Sequence, residues 1–208
     1  MLYNIDISVN DLKTLKDKHW LNDNIIDCYM AMLIERGKNN LNLPKIFIFT
    51  THFYSSLAKN GYKGVKRWAK RKKIDVTKMD YIFIPINLLN SHWVLGIINN
   101  KKRRFEYLDS LNGGSFNILG KLQEYMAEET ERMYPNYDRG LGEFDYYNWE
   151  AIERKDIPQQ ENGSDCGVFT CMNVDFLSQE KHLKFSQNDM KNIRRRMAYS
   201  IISGELVE

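Results

Sequence analysis

Hydrophobic and polar positions follow more than one period along the chain, and each change of period marks an element. In "HWLNDNIIDCYMAMLIERG", Ile25, Ile26, Tyr29, Met30, Met32 and Leu33 recur near helical spacing, with Asn22 or Asp23 as N-cap and Gly37 as the stop. "KIFIFTTHFYSSLAKNGY" begins strand-like and turns helical, and "KGVKRWAKRKK" reads as one short basic helix. "YIFIPINLLNSHWVLGIINNKKRRFEYLDS" predicts a strand, a loop and two strands joined at "NNKK". Residues 115–134 read as an amphipathic helix, 135–157 as an irregular connector and 166–177 as a buried helix; the basic helix "SQNDMKNIRRRMAYSIIS" closes the chain. Helices, then a small sheet, then helices predict an α+β fold, and the length suits one domain over residues 1–208.

Composition narrows this picture without adding a function. Hydrophobic residues at 43% and charged residues at 27% fit a folded globular protein and exclude disorder. A net charge of +3 is too small to imply nucleic-acid binding by itself, so a basic partner surface has to be local. The segments "KRWAKRKK" and "KNIRRRM" read as solvated faces, and nucleic acid is not an expected partner. No apolar run approaches a membrane span, and "MLYNIDISVNDLKTL" is acidic and polar where a secretory signal is apolar, which predicts an intracellular protein with no membrane insertion. Three cysteines without a CxxC pair fit a reducing compartment, with Cys28 and Cys171 as core thiols.

The remaining cysteine has a different setting. "PQQENGSDCGVF" carries Cys166 out of a polar, turn-forming approach into an apolar run, with Asn162, Ser164 and Asp165 as candidate caps. A helix start lowers a thiol's pKa, and Gly163 and Gly167 permit tight turns and the close approach of another chain, which a packing cysteine does not require. A nucleophilic thiol needs a base, a group to orient that base, and oxyanion donors. Of His19, His52, His92 and His182, only His92 has a partner in prospect: it opens the strand "HWVLGII", and the returning strand ends at Asp109. A hairpin loop centred on Asn100 and Lys101 places the two directly opposite. A two-residue slip keeps them on one face. Gln159 and Gln160, together with the Cys166 amide, are the candidate oxyanion donors.

"WLND" at 20–23, "HW" at 92–93, "YLDS" at 107–110 and "PQQENGSDCG" at 158–167, in that order, resemble the Ulp/SENP cysteine proteases, which process SUMO and related ubiquitin-like proteins. The resemblance runs over essentially the whole chain, and "GYKGVKRWAKRKK" is most similar to the yeast-type members. It implies a papain-like fold, a small mixed sheet flanked by helices, with Cys166 as nucleophile, His92 as base, Asp109 as orienting carboxylate and Gln160 as oxyanion donor. Trp20 and Trp93 match the walls of a tunnel too narrow for a Cβ, and Asp23 an acidic contact to the ubiquitin-like partner. The implied reaction is cleavage after the C-terminal Gly-Gly of SUMO, in precursor maturation and in release from substrate lysines, by a monomer with no metal or organic cofactor. The implied partners are SUMO and SUMO-conjugated proteins, and the implied location is the nucleus or nuclear envelope. The alternatives are the same chemistry on NEDD8 or another ubiquitin-like modifier, and a catalytically idle ubiquitin-like-binding module. The loop at 37–44 and the connector at 135–157 depart from the family pattern.

Overall fold

The computed structural model describes residues 3–136 and 142–207. Its centre is a five-stranded mixed sheet in the order β1 (Ile46–Ile48), β2 (Tyr81–Leu88), β3 (His92–Asn99), β4 (Arg104–Leu108), β5 (Glu150–Arg154). The two outer pairs, β1 with β2 and β4 with β5, are parallel, while β2, β3 and β4 form an antiparallel meander. β2 and β3 are buried for most of their length, which explains their nearly continuous apolar runs. Pro85 is tolerated inside β2 because pairing with β1 covers only Tyr81 to Phe83, so no neighbour on that side needs its missing N–H.

Alternate side chains send the sheet into two cores. Phe83, Trp93, Leu95 and Ile97 pack with α2 (Asp23–Asn39), α7 (Cys166–Leu177) and α8 (Met190–Ser203). Ile82, Ile84, Ile86, Val94 and Ile98 pack with α3 (His52–Asn60), α4 (Tyr62–Val65), α5 (Trp68–Lys72) and α6 (Ile118–Met133). A short α1 (Val9–Lys13), closed by a capping box between Ser8 and Asp11, precedes α2. The α+β expectation holds, with helices on both faces of the sheet.

Four local expectations are corrected. Gly37 does not stop α2, which runs on to Asn39, while its cap is Asn22, one of the two expected residues, accepting from Ile25 N at 3.1 Å. The basic segment is two short helices, α4 and α5. The connector is not irregular throughout, since β5 and two 3₁₀ turns, Gly142–Phe144 and Tyr146–Asn148, lie within it; its residues 137–141 fall outside the described residues. The β3–β4 loop is four residues, 100–103, so Asn99 faces Arg104 and the register moves two residues from the expected one, on the same face. The cause is Asn100, whose side chain leaves the hairpin to donate to the carbonyls of Val76 and Met79 at 2.8 and 2.7 Å, while Arg103 turns the chain at φ 51°.

Candidate active site

The hairpin delivers a histidine and a carboxylate to one end of the sheet. His92 is the first residue of β3, and Asp109 lies just past the last residue of β4. His92 Nε2 and Asp109 Oδ1 are 2.7 Å apart even though the register differs from the expected one. The carboxylate is held from four sides. Besides the imidazole, it accepts from Leu111 N at 2.8 Å, Gly113 N at 3.0 Å and the Tyr107 hydroxyl at 3.3 Å. Position 113 has to be glycine, because a Cβ there would lie 2.5 Å from Asp109 Oδ2. Burial pushes the Asp109 carboxyl up, but the His92 bond and the two backbone N–H groups outweigh it and hold the group below the usual carboxylate range.

With Nε2 committed to Asp109, Nδ1 is the ring nitrogen left for the sulfur. The His92 pKa is raised to about 9, first by the Asp109 bond and then by the neighbouring Cys166 side chain. Cys166 begins α7 and is only 2% exposed. None of its three candidate caps closes the helix by a side-chain bond. Asn162 Oδ1 instead turns the loop by accepting from Ser164 N and Asp165 N at 3.0 and 3.1 Å. The first N–H groups of α7 therefore remain free of capping side chains, and the positive end of the helix faces the thiol.

Asp165 has another task. Its carboxylate receives Arg194 through Nε at 2.9 Å and Nη2 at 2.6 Å, and the same guanidinium donates to the carbonyls of Thr14, Lys16, His19 and Ser164. One buried arginine thus ties α8 to the nucleophile loop and to the segment leading into Trp20. "KNIRRRM" is therefore not a solvated face throughout, and nothing in its composition separates Arg194 from the exposed Arg195 beside it.

Gln160 is the second oxyanion candidate, and its amide is fixed. Ser110 Oγ donates to Oε1 at 2.6 Å, Gln160 N donates to Ser110 O at 2.9 Å, and Nε2 donates to the Asn162 carbonyl, which engages one of the amide's two N–H bonds. Gln159 turns away to the Ile157 carbonyl. Ser110 was missed as an orienting residue; its one signal was its place directly after Asp109.

A cleft of about 400 Å³ adjoins this end of the sheet, lined by Trp20, Asp23, His52, Ser55, Ser91 and Trp93 among others. Its lining includes Ser91 and Trp93, the chain neighbours of His92, but neither His92 nor Cys166. Trp20 is 52% exposed, and its Nε1 donates to Gly163 O at 2.7 Å, which pins the indole to the loop before Cys166. Trp93 is 5% exposed, with Nε1 on Leu21 O at 2.9 Å. Gly167 permits this packing, since a Cβ there would meet Leu21 at 3.0 Å and Trp93 at 3.2 Å. Asp23 stands across the cleft with His52, 3.3 Å apart and both exposed, so this second histidine pairs with a different carboxylate. Among the described residues no His/Cys/Asp/Glu cluster could hold a metal ion, and no helix is long and apolar enough to cross a membrane.

Comparison with known proteins gives the family. The description "Ulp1 protease family, C-terminal catalytic domain" matches residues 19–206. Ubiquitin-like-specific protease 1 of Saccharomyces cerevisiae is 42% identical over 98% of this chain, and Sentrin-specific protease 2 of Homo sapiens is 36% identical over 99%. The chain spans only 30% and 33% of those two proteins. Among solved structures, the C-terminal Ulp1 protease domain in complex with SMT3, the yeast ortholog of SUMO, superimposes with a TM-score of 0.82 at 41% identity over 97% of this chain and 85% of that one. The SUMO protease Ulp1 with its catalytic cysteine oxidised to a sulfinic acid gives 0.84 at 41% identity over 100% and 88%.

Proposed function

Because the chain belongs to the Ulp1 protease family, we propose that it is a cysteine protease and isopeptidase that cleaves after the C-terminal Gly-Gly of SUMO, both from precursors and from substrate lysines. The observation that carries this reading is the 2.7 Å bond between His92 Nε2 and Asp109 Oδ1, which leaves Nδ1 as the ring nitrogen available to the neighbouring Cys166.

The chemistry follows from that arrangement. His92 holds the thiol proton at Nδ1 in a thiolate–imidazolium pair formed before attack, and the thiolate sulfur attacks the carbonyl carbon of the terminal glycine. The oxyanion that forms is met by the Cys166 amide and by the second N–H of Gln160, both preorganised before the substrate arrives. Collapse of the tetrahedral species expels the amine, which receives the proton from the imidazolium, and leaves a thioester. Water, deprotonated by His92, hydrolyses the thioester. Asp109 keeps the tautomer and balances the imidazolium charge.

Trp20 and Trp93 are the walls assigned to the substrate's tail, Trp20 exposed but pinned to Gly163 O and Trp93 buried against Leu21 and Gly167. Asp23, exposed on the cleft beyond them, is assigned a basic group of the ubiquitin-like partner. The nucleus or nuclear envelope is the proposed location, which imaging of a tagged protein checks. The deciding experiment uses electrophilic probes built on the C-termini of SUMO, NEDD8 and ubiquitin. The SUMO probe is expected to label Cys166 alone and much faster than the other two. Faster labelling by the NEDD8 or ubiquitin probe overturns the substrate assignment, and labelling by none of them overturns the protease reading.

A further inference from the structure

The small net charge conceals a segregation. Eleven of the thirty lysines and arginines lie between residues 36 and 74, where there is no aspartate or glutamate, so the rest of the chain carries a net charge of −8. The eight cations from Lys59 to Lys73 are all exposed, on the end of α3 and along α4 and α5. Among the described residues none of the eight has an ion-pair partner. The apolar residues of the same stretch point the other way: Leu57, Val65 and Ala69 are buried, and Tyr62, Trp68 and Ile74 pack against the core. Glu129, which accepts from the Tyr62 hydroxyl at the foot of this surface, is itself buried and already paired with Arg132.

The chemistry of the partner can be read from what the patch lacks. A helix that lies on a membrane needs an apolar face to bury beside its cations, and a protein-docking site needs an aromatic or aliphatic anchor. No exposed large hydrophobic side chain lies between residues 52 and 74. Single-stranded nucleic acid is held by aromatic side chains on which bases stack, but Trp68 is turned edge-on to Phe53 with ring centroids 5.6 Å apart. A duplex phosphate backbone asks only for cations distributed over a surface. The other basic segment drops out, because its central Arg194 is the buried clamp of the nucleophile loop.

We infer, against the expectation drawn from total charge, that the α3–α5 surface binds the phosphate backbone of double-stranded nucleic acid without preference for base sequence. The inference does not depend on the protease reading. α3 opens at the cleft, where His52 and Ser55 line it, and ends at the patch, eight residues or about 12 Å further on. A duplex and a ubiquitin-like protein therefore have separate seats.

The test is fluorescence anisotropy of the 208-residue chain with a labelled duplex of about 30 base pairs and arbitrary sequence, from about 50 to 200 mM salt. The expected plot of log affinity against log salt has a slope of about −4 to −7, corresponding to five to eight neutralised phosphates. K66S/R67S/K70S/R71S is expected to flatten that slope by about 3 to 4 and to weaken binding at least tenfold at low salt. All four positions are exposed, and an unchanged melting temperature confirms that the variant is folded. No duplex binding at the lowest salt overturns the inference, as does binding that the four substitutions leave unchanged. Tighter binding to single strands, to poly-glutamate or to vesicles containing phosphatidylserine also overturns it and names the partner class that replaces it.

Discussion

Cys166 and Cys171 lie on the same helix and are both almost fully buried, yet only Cys166 is surrounded by reactive partners. Cys166 sits in the uncapped first turn beside an imidazole held by a carboxylate. Cys171, in the middle of the helix, has apolar neighbours, and burial pushes its thiol far above the ordinary range. Cys28 shares that fate on α2, raised to about 11 for the same reason. The contrast shows that exposure does not mark a nucleophile. What separates the two thiols is a base within reach and helix N–H groups left uncommitted, and the burial of Cys166 is consistent with a site that narrows around its substrate.

Exchanging residues between the two settings tests that contrast. The largest effect is expected from Cys166→Ala, which removes the proposed nucleophile and should lower SUMO-precursor hydrolysis about 10⁵- to 10⁶-fold in single-turnover assays while leaving SUMO binding intact. A residual rate near wild type would place the chemistry on another residue. Asp109→Asn should lower the rate by about 10⁴-fold with the fold preserved. It should also move the alkaline limb of the pH–rate profile, since the Asp109 bond is the first cause of the raised His92 pKa. In the wild type the imidazolium persists until pH passes about 9, so activity should fall there; in the variant the fall should begin at lower pH. An unmoved alkaline limb would remove Asp109 from that role. By the same linkage, the His92 pair adds stability that is complete below its ordinary pKa of about 6.5 and is lost as pH rises through about 9. The smallest effect is expected from Cys171→Ala: an unchanged rate and about 1 kcal/mol less stability, read from the denaturant midpoint. A large loss of rate there would erase the distinction between the two thiols.

Much of this arrangement was legible from residue order. The apolar period of α2 and α7, the β3–β4 hairpin and the polar approach to Cys166 each follow from local rules, and together they point to His92, Asp109 and Cys166; the choice of Gln160 over Gln159 needs the family resemblance. The parts that stayed hidden depend on distant contacts. β5 is a half-exposed edge strand, "EAIER", without enough apolar alternation to be told from a loop. The hairpin register shifted because Asn100 found acceptors more than twenty residues upstream. Arg194 carries no local sign of burial, because the oxygens that satisfy it come from residues 14 to 19 and 164 to 165.

The Arg194 clamp also bears on the order of events during synthesis. The guanidinium that holds Asp165 beside the nucleophile arrives after most of the chain has been made. At translation speeds of roughly 5 to 20 residues per second, a ribosome takes about one to six seconds to go from position 166 to position 194. Through that interval the thiol already exists, but its loop lacks the cation that gathers it. Leaving a buried carboxylate unpaired costs about 3 to 5 kcal/mol, so the finished geometry is disfavoured until α8 docks. In a chain of this design the Cys166 loop is gathered only once the distant Arg194 has docked.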